Sequence, residues 1–279
     1  RSVRDAGSVQ TAVHLGRATM AVTYASYLRL DELLALQRPH EGELEHDETL
    51  FIIIHQVYEL WFKEMLHELD HLTRLLRDNA TPQALHTLKR ILTVLKVLVA
   101  QIDILETMTP LGFLAFRDRL ASGSGFQSFQ FRELEFALGL KQLSAVERYP
   151  DGSAHRERVE RRYTEPGVWD AFLVYLQHHQ YDVPRALLER DLTRPVEPSP
   201  ELQRVLIQVY RRDPTVTAVC ERLIDLDEGF MEWRYRHVKM VQRTIGTRRG
   251  TGGSAGAEYL LTTLNQPAFP DLWQIRTEL

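Results

Sequence analysis

Two stretches of regularly spaced apolar residues constrain the fold of this chain more than any other feature. Between residues 50 and 77, Phe51, His55, Tyr58, Phe62, Met65, Leu69, Leu72 and Leu76 follow one another at steps of 4, 3, 4, 3, 4, 3 and 4. Val219, Leu223, Leu226, Phe230, Trp233, His237, Met240 and Thr244 repeat the same steps. Residues so spaced share one face only in an α-helix, so each stretch predicts a long helix with an apolar seam. No run of β-branched residues alternates with the period of two that a half-buried strand needs. The expected fold is all-α.

The intervening segments fit that reading. In the first long helix Ile52, Ile53 and Ile54 are also apolar, which predicts burial on all sides. Thr81 with Pro82 opens a second helix, whose expected buried stripe is Leu85, Leu88, Leu92, Leu95, Val99 and Ile102 and which ends before Thr109-Pro110. Leu111 to Leu120 reads as a short helix and residues 121–125 as a Ser-Gly loop, followed by a helical run to Gly139. Residues 146–162 are dense in charge and read as a solvated excursion. A helix is expected from Pro166 to Gln180. Pro195, Pro198 and Pro200 read as a rigid linker, although nothing on either side looks self-sufficient. Long antiparallel helices with short connections predict a single-domain helical bundle over residues 1–279.

Composition narrows the function. With 34 Lys+Arg against 38 Asp+Glu and the signs interspersed, the chain offers no basic footprint for nucleic acid or an anionic membrane. No apolar run approaches the ~20 residues of a bilayer span. Cys220, the one cysteine, excludes an intramolecular disulfide, a Cys-rich zinc site and a covalently attached c-type haem, and favours the cytoplasm. A start at Arg1 leaves open what precedes it.

His55 and His237 stand out because each sits within a long apolar seam. Either alone reads as a buried neutral imidazole hydrogen-bonded to a carbonyl. Two facing seams that each bring a histidine into a bundle core are also how such folds hold haem or a metal. His67-Glu-Leu-Asp-His71 matches the zinc-protease pattern H-E-x-x-H, but it lies off the apolar stripe, with Lys63 and Arg74 on the solvated face. Gly250 to Ala255 fits G-x-G-x-x-A, yet a helix precedes it, where a dinucleotide site needs a strand. That loop reads either as a backbone cradle for a ligand or as a mobile surface loop. Phe113 and Arg117 are i, i+4 partners, placing an aromatic ring and a guanidinium together beside the Ser-Gly loop. Arg117 could grip a carboxylate bidentately, or pair on the surface with an acid such as Glu106.

Several sequence words, in order along nearly the whole chain, resemble the tryptophan 2,3-dioxygenase family. They are Thr23-Tyr-Ala-Ser-Tyr-Leu-Arg-Leu-Asp31, His46-Asp-Glu48, Phe51-Ile-Ile-Ile-His-Gln-Val-Tyr-Glu-Leu-Trp-Phe-Lys63, Phe116-Arg-Asp118, Ser124-Gly-Phe-Gln-Ser128, Gly250-Thr-Gly-Gly-Ser254 and Phe269-Pro-Asp-Leu-Trp273. The resemblance implies an all-helical homotetramer, a dimer of dimers. Each subunit would enclose a non-covalent b-type haem and oxidise the indole ring of L-tryptophan with O2, opening it to N-formylkynurenine in tryptophan catabolism. It also implies His237 as axial iron ligand, His55 as the distal catalytic histidine near the indole nitrogen, and Phe51 and Phe113 as walls of the indole pocket. Arg117 would clamp the carboxylate, Thr251 would meet the ammonium and carboxylate, and Ser124 would lie over the haem edge. In the family an N-terminal arm, here residues 1–45 with Tyr24, Tyr27 and Leu28, completes a neighbouring subunit's site. Ala25-Ser26, Ala121-Ser-Gly123 and Gly253-Ser-Ala-Gly256 depart from the usual pattern. The alternatives are a diverted member that inserts one oxygen into a plain or substituted tryptophan to give a 2-oxindole, and a haem sensor or carrier without turnover.

Overall fold

The structure, a computed structural model, describes residues 21–39, 42–43, 45–121, 123–248, 250 and 257–279. Every element among them is an α- or 3-10 helix. The chain divides into two compact units, residues 1–38 and 39–279. In the first, α1 (Tyr24–Leu28) and α2 (Leu30–Leu33) form a short helical corner. Thr23 caps α1 by accepting the Ser26 N–H at 3.2 Å, and Arg29 turns the chain at a φ of +53°. Neither helix buries a residue.

In the second unit, α3 (His46–Arg77) is the first long helix. Its start is fixed by the Glu45 N–H donating to the Glu48 carboxylate at 3.3 Å, and Asp47 and Glu48 in the first turn, with Arg74 and Arg77 in the last, complement the helix dipole. Asn79, at a φ of +54°, reverses the chain into α4 (Thr81–Leu105), so the two helices are antiparallel. The seam from Tyr58 to Leu76 is buried as expected, but Ile53 is 41% exposed and Ile52 half-buried, so this part of α3 is not covered on all sides within one chain. The buried face of α4 is also displaced from the expected stripe. It runs through Ala84, Leu88, Ile91, Leu95, Leu98, Ile102 and Leu105, and leaves Leu85, Leu92 and Val99 half-buried. The cause is that α4 packs against a neighbour on each flank, so the buried band is wider than one stripe and centred between the two contacts.

A chain of shorter helices follows. These are α5 (Pro110–Phe116), with a 3-10 turn at Arg117–Leu120 and another at Gly125–Gln127, then α6 (Phe129–Ala137), α7 (Leu143–Val146), α8 (Ala154–Thr164), α9 (Val168–His178) and α10 (Arg185–Leu188). The charged stretch that reads as a solvated excursion thus contains a helix. Ser153 caps α8 by accepting the Arg156 N–H, Val159 is fully buried, and Arg158 and Arg162 pair with Glu133 on α6 and Asp70 on α3. Two of its arginines therefore tie it to neighbouring helices, while most of its other charges are exposed. The segment read as a linker opens another helix, α11 (Pro200–Arg212), in which Pro200 takes the first helical position, Ser199 accepts the Leu202 N–H, and Leu202, Leu206 and Val209 are buried.

The third long helix, α12 (Pro214–Ile245), packs along α4. Gly229 abuts Leu95 and Arg236 pairs with Asp103, so the register advances in the same direction on both helices and they run parallel. It follows that α12 is antiparallel to α3. Gly229 permits the close approach, since a Cβ there would come within 2.7 Å of the Leu95 side chain. The chain ends in α13 (Ala257–Thr262) and α14 (Pro270–Gln274). Buried Asp227 on α12 anchors the last segment by accepting the Ala268 and Phe269 N–H groups and the Trp273 indole N–H.

Candidate functional site

The seams of α3 and α12 face each other, and both histidines look into the space between them. Tyr58 and Phe62 on α3 meet the Trp233 ring edge-on at 6.1 and 6.2 Å, and Tyr58 is held by donating its hydroxyl to the Leu98 carbonyl of α4 at 2.8 Å. One helical turn beyond this contact on each helix lie His55 and His237. They border a two-lobed cavity whose lobes have both residues in common.

The His55 Nδ1 lies 2.7 Å from the Phe51 carbonyl oxygen of its own helix. A carbonyl can only accept, so Nδ1 carries the proton and the Nε2 lone pair is left as an acceptor. Burial pushes the His55 pKa down and keeps the ring neutral. The His237 ring stacks on Trp233, one turn before it, with centroids 5.1 Å apart and planes within 5°. Burial pushes its pKa down to about 4, helped by the proximity of His55 and of the Arg132 guanidinium. Among the described residues neither of its ring nitrogens has a hydrogen-bond partner. His237 is therefore a neutral imidazole at pH 7 with a nitrogen lone pair available to a metal ion.

The second lobe contains Phe51, Phe113, Arg117 and Ser124 as well as the two histidines. Local sequence puts them there. Thr109 caps α5 by accepting the Gly112 N–H at 3.0 Å with Pro110 at the first position, and a Cβ at Gly112 would clash with Asp47 of α3 at 2.1 Å. That close seat brings Phe113 and Phe116 to 5.9 and 5.3 Å from Phe51. Arg117 follows at the junction between α5 and the 3-10 turn. Glu106, the acid considered as its surface partner, is engaged by Arg236 and Arg243. The Ser-Gly-Phe-Gln-Ser word builds two caps in five residues. Ser124 accepts the Phe126 N–H at the 3-10 turn, and Ser128 accepts the Phe131 N–H at the start of α6. Phe126 borders both lobes.

Charged residues of the first lobe are absent from the sequence reading. Arg132 and Glu135 on α6 form a buried ion pair, and Arg234 on α12 donates to the same carboxylate at 2.7 Å and to the Thr263 carbonyl at 3.2 Å. Two guanidiniums share the Glu135 carboxylate, Glu59 also borders the lobe, and the buried Arg132 Nε has no partner. Such an arrangement favours an anionic group in this lobe. The available signal was a charged cluster, Arg132-Glu-Leu-Glu135, inside the apolar run from Phe129 to Leu140. A neutral imidazole ligand, aromatic walls and a buried guanidinium nitrogen without a partner fit haem, an iron chelate with two carboxylates.

Tyr24, Tyr27 and Leu28 lie on α1 of the first unit. Thr251 and the rest of the 251–256 loop are outside the described residues, although Gly250 borders the second lobe. His67 and His71 are exposed on the outer face of α3.

Comparison with known proteins places this arrangement. The family model described as tryptophan 2,3-dioxygenase matches residues 7–178 and 168–279. A tryptophan 2,3-dioxygenase of Herpetosiphon aurantiacus is 59% identical over 261 residues, covering 94% of this chain and 100% of the relative. Proteins of the same name from Anaeromyxobacter sp. strain K and Caulobacter vibrioides are 53% and 42% identical, covering 93% and 92% of this chain and 97% and 98% of their own lengths. From residue 7 to the last residue, through the α3 and α12 seams and the capped loops between them, the chain belongs to the tryptophan 2,3-dioxygenase family.

Proposed function

We propose that this protein is a haem-dependent dioxygenase that adds both atoms of O2 across the C2–C3 bond of the L-tryptophan indole and opens the ring to N-formylkynurenine. The observation that carries the reading is the pair of neutral histidines on facing helices, bordering one cavity whose second lobe also contains Arg117. When bound, a b-type haem supplies the one-electron and dioxygen chemistry. His237 would hold its iron, and Arg132, whose buried Nε has no partner, would suit its carboxylates.

The remaining work falls to residues that bind and orient the substrate. The Nδ1 proton of His55 is tied to the Phe51 carbonyl, so Nε2 accepts the indole N–H and fixes the edge of the ring. Phe51 and Phe113 clasp the ring and exclude water. Arg117 takes the carboxylate in a charge-assisted, bidentate pair. Thr251 meets the amino-acid end, and Ser124 borders the reacting edge. In this reading the enzyme is a cytoplasmic homotetramer, and Tyr24, Tyr27 and Leu28 of the partner subunit close the pocket.

The test is spectroscopic. Purified apoprotein titrated with haem should gain a Soret band at one haem per chain, and anaerobic L-tryptophan should then shift the ferrous spectrum. Absence of any Soret band rules the reading out, whereas a haem protein whose spectrum ignores millimolar tryptophan is a carrier.

A further inference from the structure

The 3-10 turn that carries Arg117 is held in place by its neighbour Arg119, which points away from the cavity. The Arg119 Nη1 donates to the Glu43 carbonyl and, at 3.2 Å, to Glu48 Oε2, while Nη2 donates to Glu45 Oε1 at 3.2 Å. Glu48 is 3% exposed and sits in the first turn of α3, one turn before Phe51. A single guanidinium thus joins the turn to three acceptors at the start of the helix that supplies Phe51 to the second lobe. Its planar fork suits this use, because it spans several acceptors in a fixed geometry that an ammonium cannot reproduce.

The turn needs such a tie. On one side α5 is seated through the Phe113 and Phe116 contacts with Phe51. On the other, the chain leaves at Ala121 with a φ of +46° and ψ of −114°, a costly conformation for a residue with a Cβ. The Arg119 contacts oppose relaxation of the strained exit, a movement that would carry the Arg117 guanidinium with the turn. Binding and catalysis are sensitive to displacements of about 1 Å.

We propose that Arg119 is a positioning residue for substrate binding, latching the Arg117 turn to the first turn of α3 so that the guanidinium is preorganised for the amino-acid carboxylate. The proposal rests on the reading of Arg117 as that clamp. It makes affinity for the amino-acid end depend on Glu45, Glu48 and Arg119, none of which borders the cavity.

The test uses the full-length haem-loaded protein and its Arg119→Gln, Arg119→Lys, Arg117→Ala and Arg117→Ala/Arg119→Gln variants. Arg119→Gln should raise KM for L-tryptophan roughly tenfold, with kcat within about twofold and the Soret band unchanged. Arg119→Lys should recover part of that loss. The double variant should bind no worse than Arg117→Ala, because the latch acts only through Arg117. A residue needed only for folding would lower the melting temperature without this KM pattern. A KM within twofold of wild type in folded Arg119→Gln overturns the proposal, as does additivity in the double variant. Should Arg119→Gln not fold, an unchanged KM in Arg119→Lys overturns it equally. A wild-type protein that binds no tryptophan removes the functional reading itself, an outcome distinct from an unchanged KM.

Discussion

Asp227 offers a direct test of how the C-terminal segment supports α12, the helix that carries His237. Its carboxylate is 1% exposed and accepts three N–H groups, from Ala268 at 2.9 Å on Oδ1 and from Phe269 at 3.0 Å and the Trp273 indole at 2.9 Å on Oδ2. In Asp227→Asn the amide oxygen can take the Oδ2 position and keep two of the bonds without charge assistance. The amide nitrogen then faces the Ala268 N–H, donor against donor. Stranding one buried donor costs about 1–3 kcal/mol, and weakening the other two bonds adds roughly 1 kcal/mol, so about 3 kcal/mol is expected. Asp227→Ala leaves all three donors without an acceptor and should cost about 5 kcal/mol. At about 2–4 °C per kcal/mol for a domain of this size, the Asn variant should melt roughly 6–12 °C earlier. Urea and thermal unfolding of the apoprotein, followed by far-ultraviolet circular dichroism, measures both variants. A loss below 1 kcal/mol in Asp227→Asn would refute the anchoring argument.

Other outcomes follow from the cavity. Arg117→Ala should keep its haem yet lose about 2–4 kcal/mol in kcat/KM for L-tryptophan, mainly through KM, as steady-state kinetics would show. His237→Ala should lose most of its haem on desalting, and a haem-replete, active variant would refute the ligand assignment. The same variant isolates a pH effect. The His237 pKa is about 4 in the fold against 6.5 for a free imidazole, so as pH falls below 6.5 the unfolded chain takes up the proton first. Its contribution to apoprotein stability is complete above pH 6.5 and is lost progressively down to about pH 4, by about 3 kcal/mol in total. Urea unfolding at pH 7 and pH 5 should therefore show a steeper loss for wild type than for His237→Ala, and equal slopes would contradict the buried neutral imidazole.

The long helices were legible because α3 and α12 carry unbroken seams, and a histidine within such a seam is conspicuous. His55, His237, Phe51, Phe113, Arg117 and Ser124 all border one cavity, although periodicity alone could not show that the two seams face each other. What was not legible depends on partners distant in sequence. The displaced face of α4 reflects its place between α3 and α12. Arg132, Glu135 and Arg234 are charged residues that ordinarily mark a solvated face, and only the folded chain brings Arg234 to Glu135 across 99 residues. Helix α8 was hidden by charge that serves ion pairs, and α11 by a proline that starts a helix as readily as it stiffens a linker. The Arg119 latch joins residues more than 70 positions apart and has no local signature.

The central claim is that this cavity directs both atoms of dioxygen onto the indole of L-tryptophan. Mass spectrometry of the product formed by the haem-loaded enzyme under 18O2 tests it most directly. The account predicts a product with the mass of tryptophan plus two labelled oxygen atoms and the absorption of N-formylkynurenine. A product carrying one labelled atom and an oxindole spectrum would contradict it.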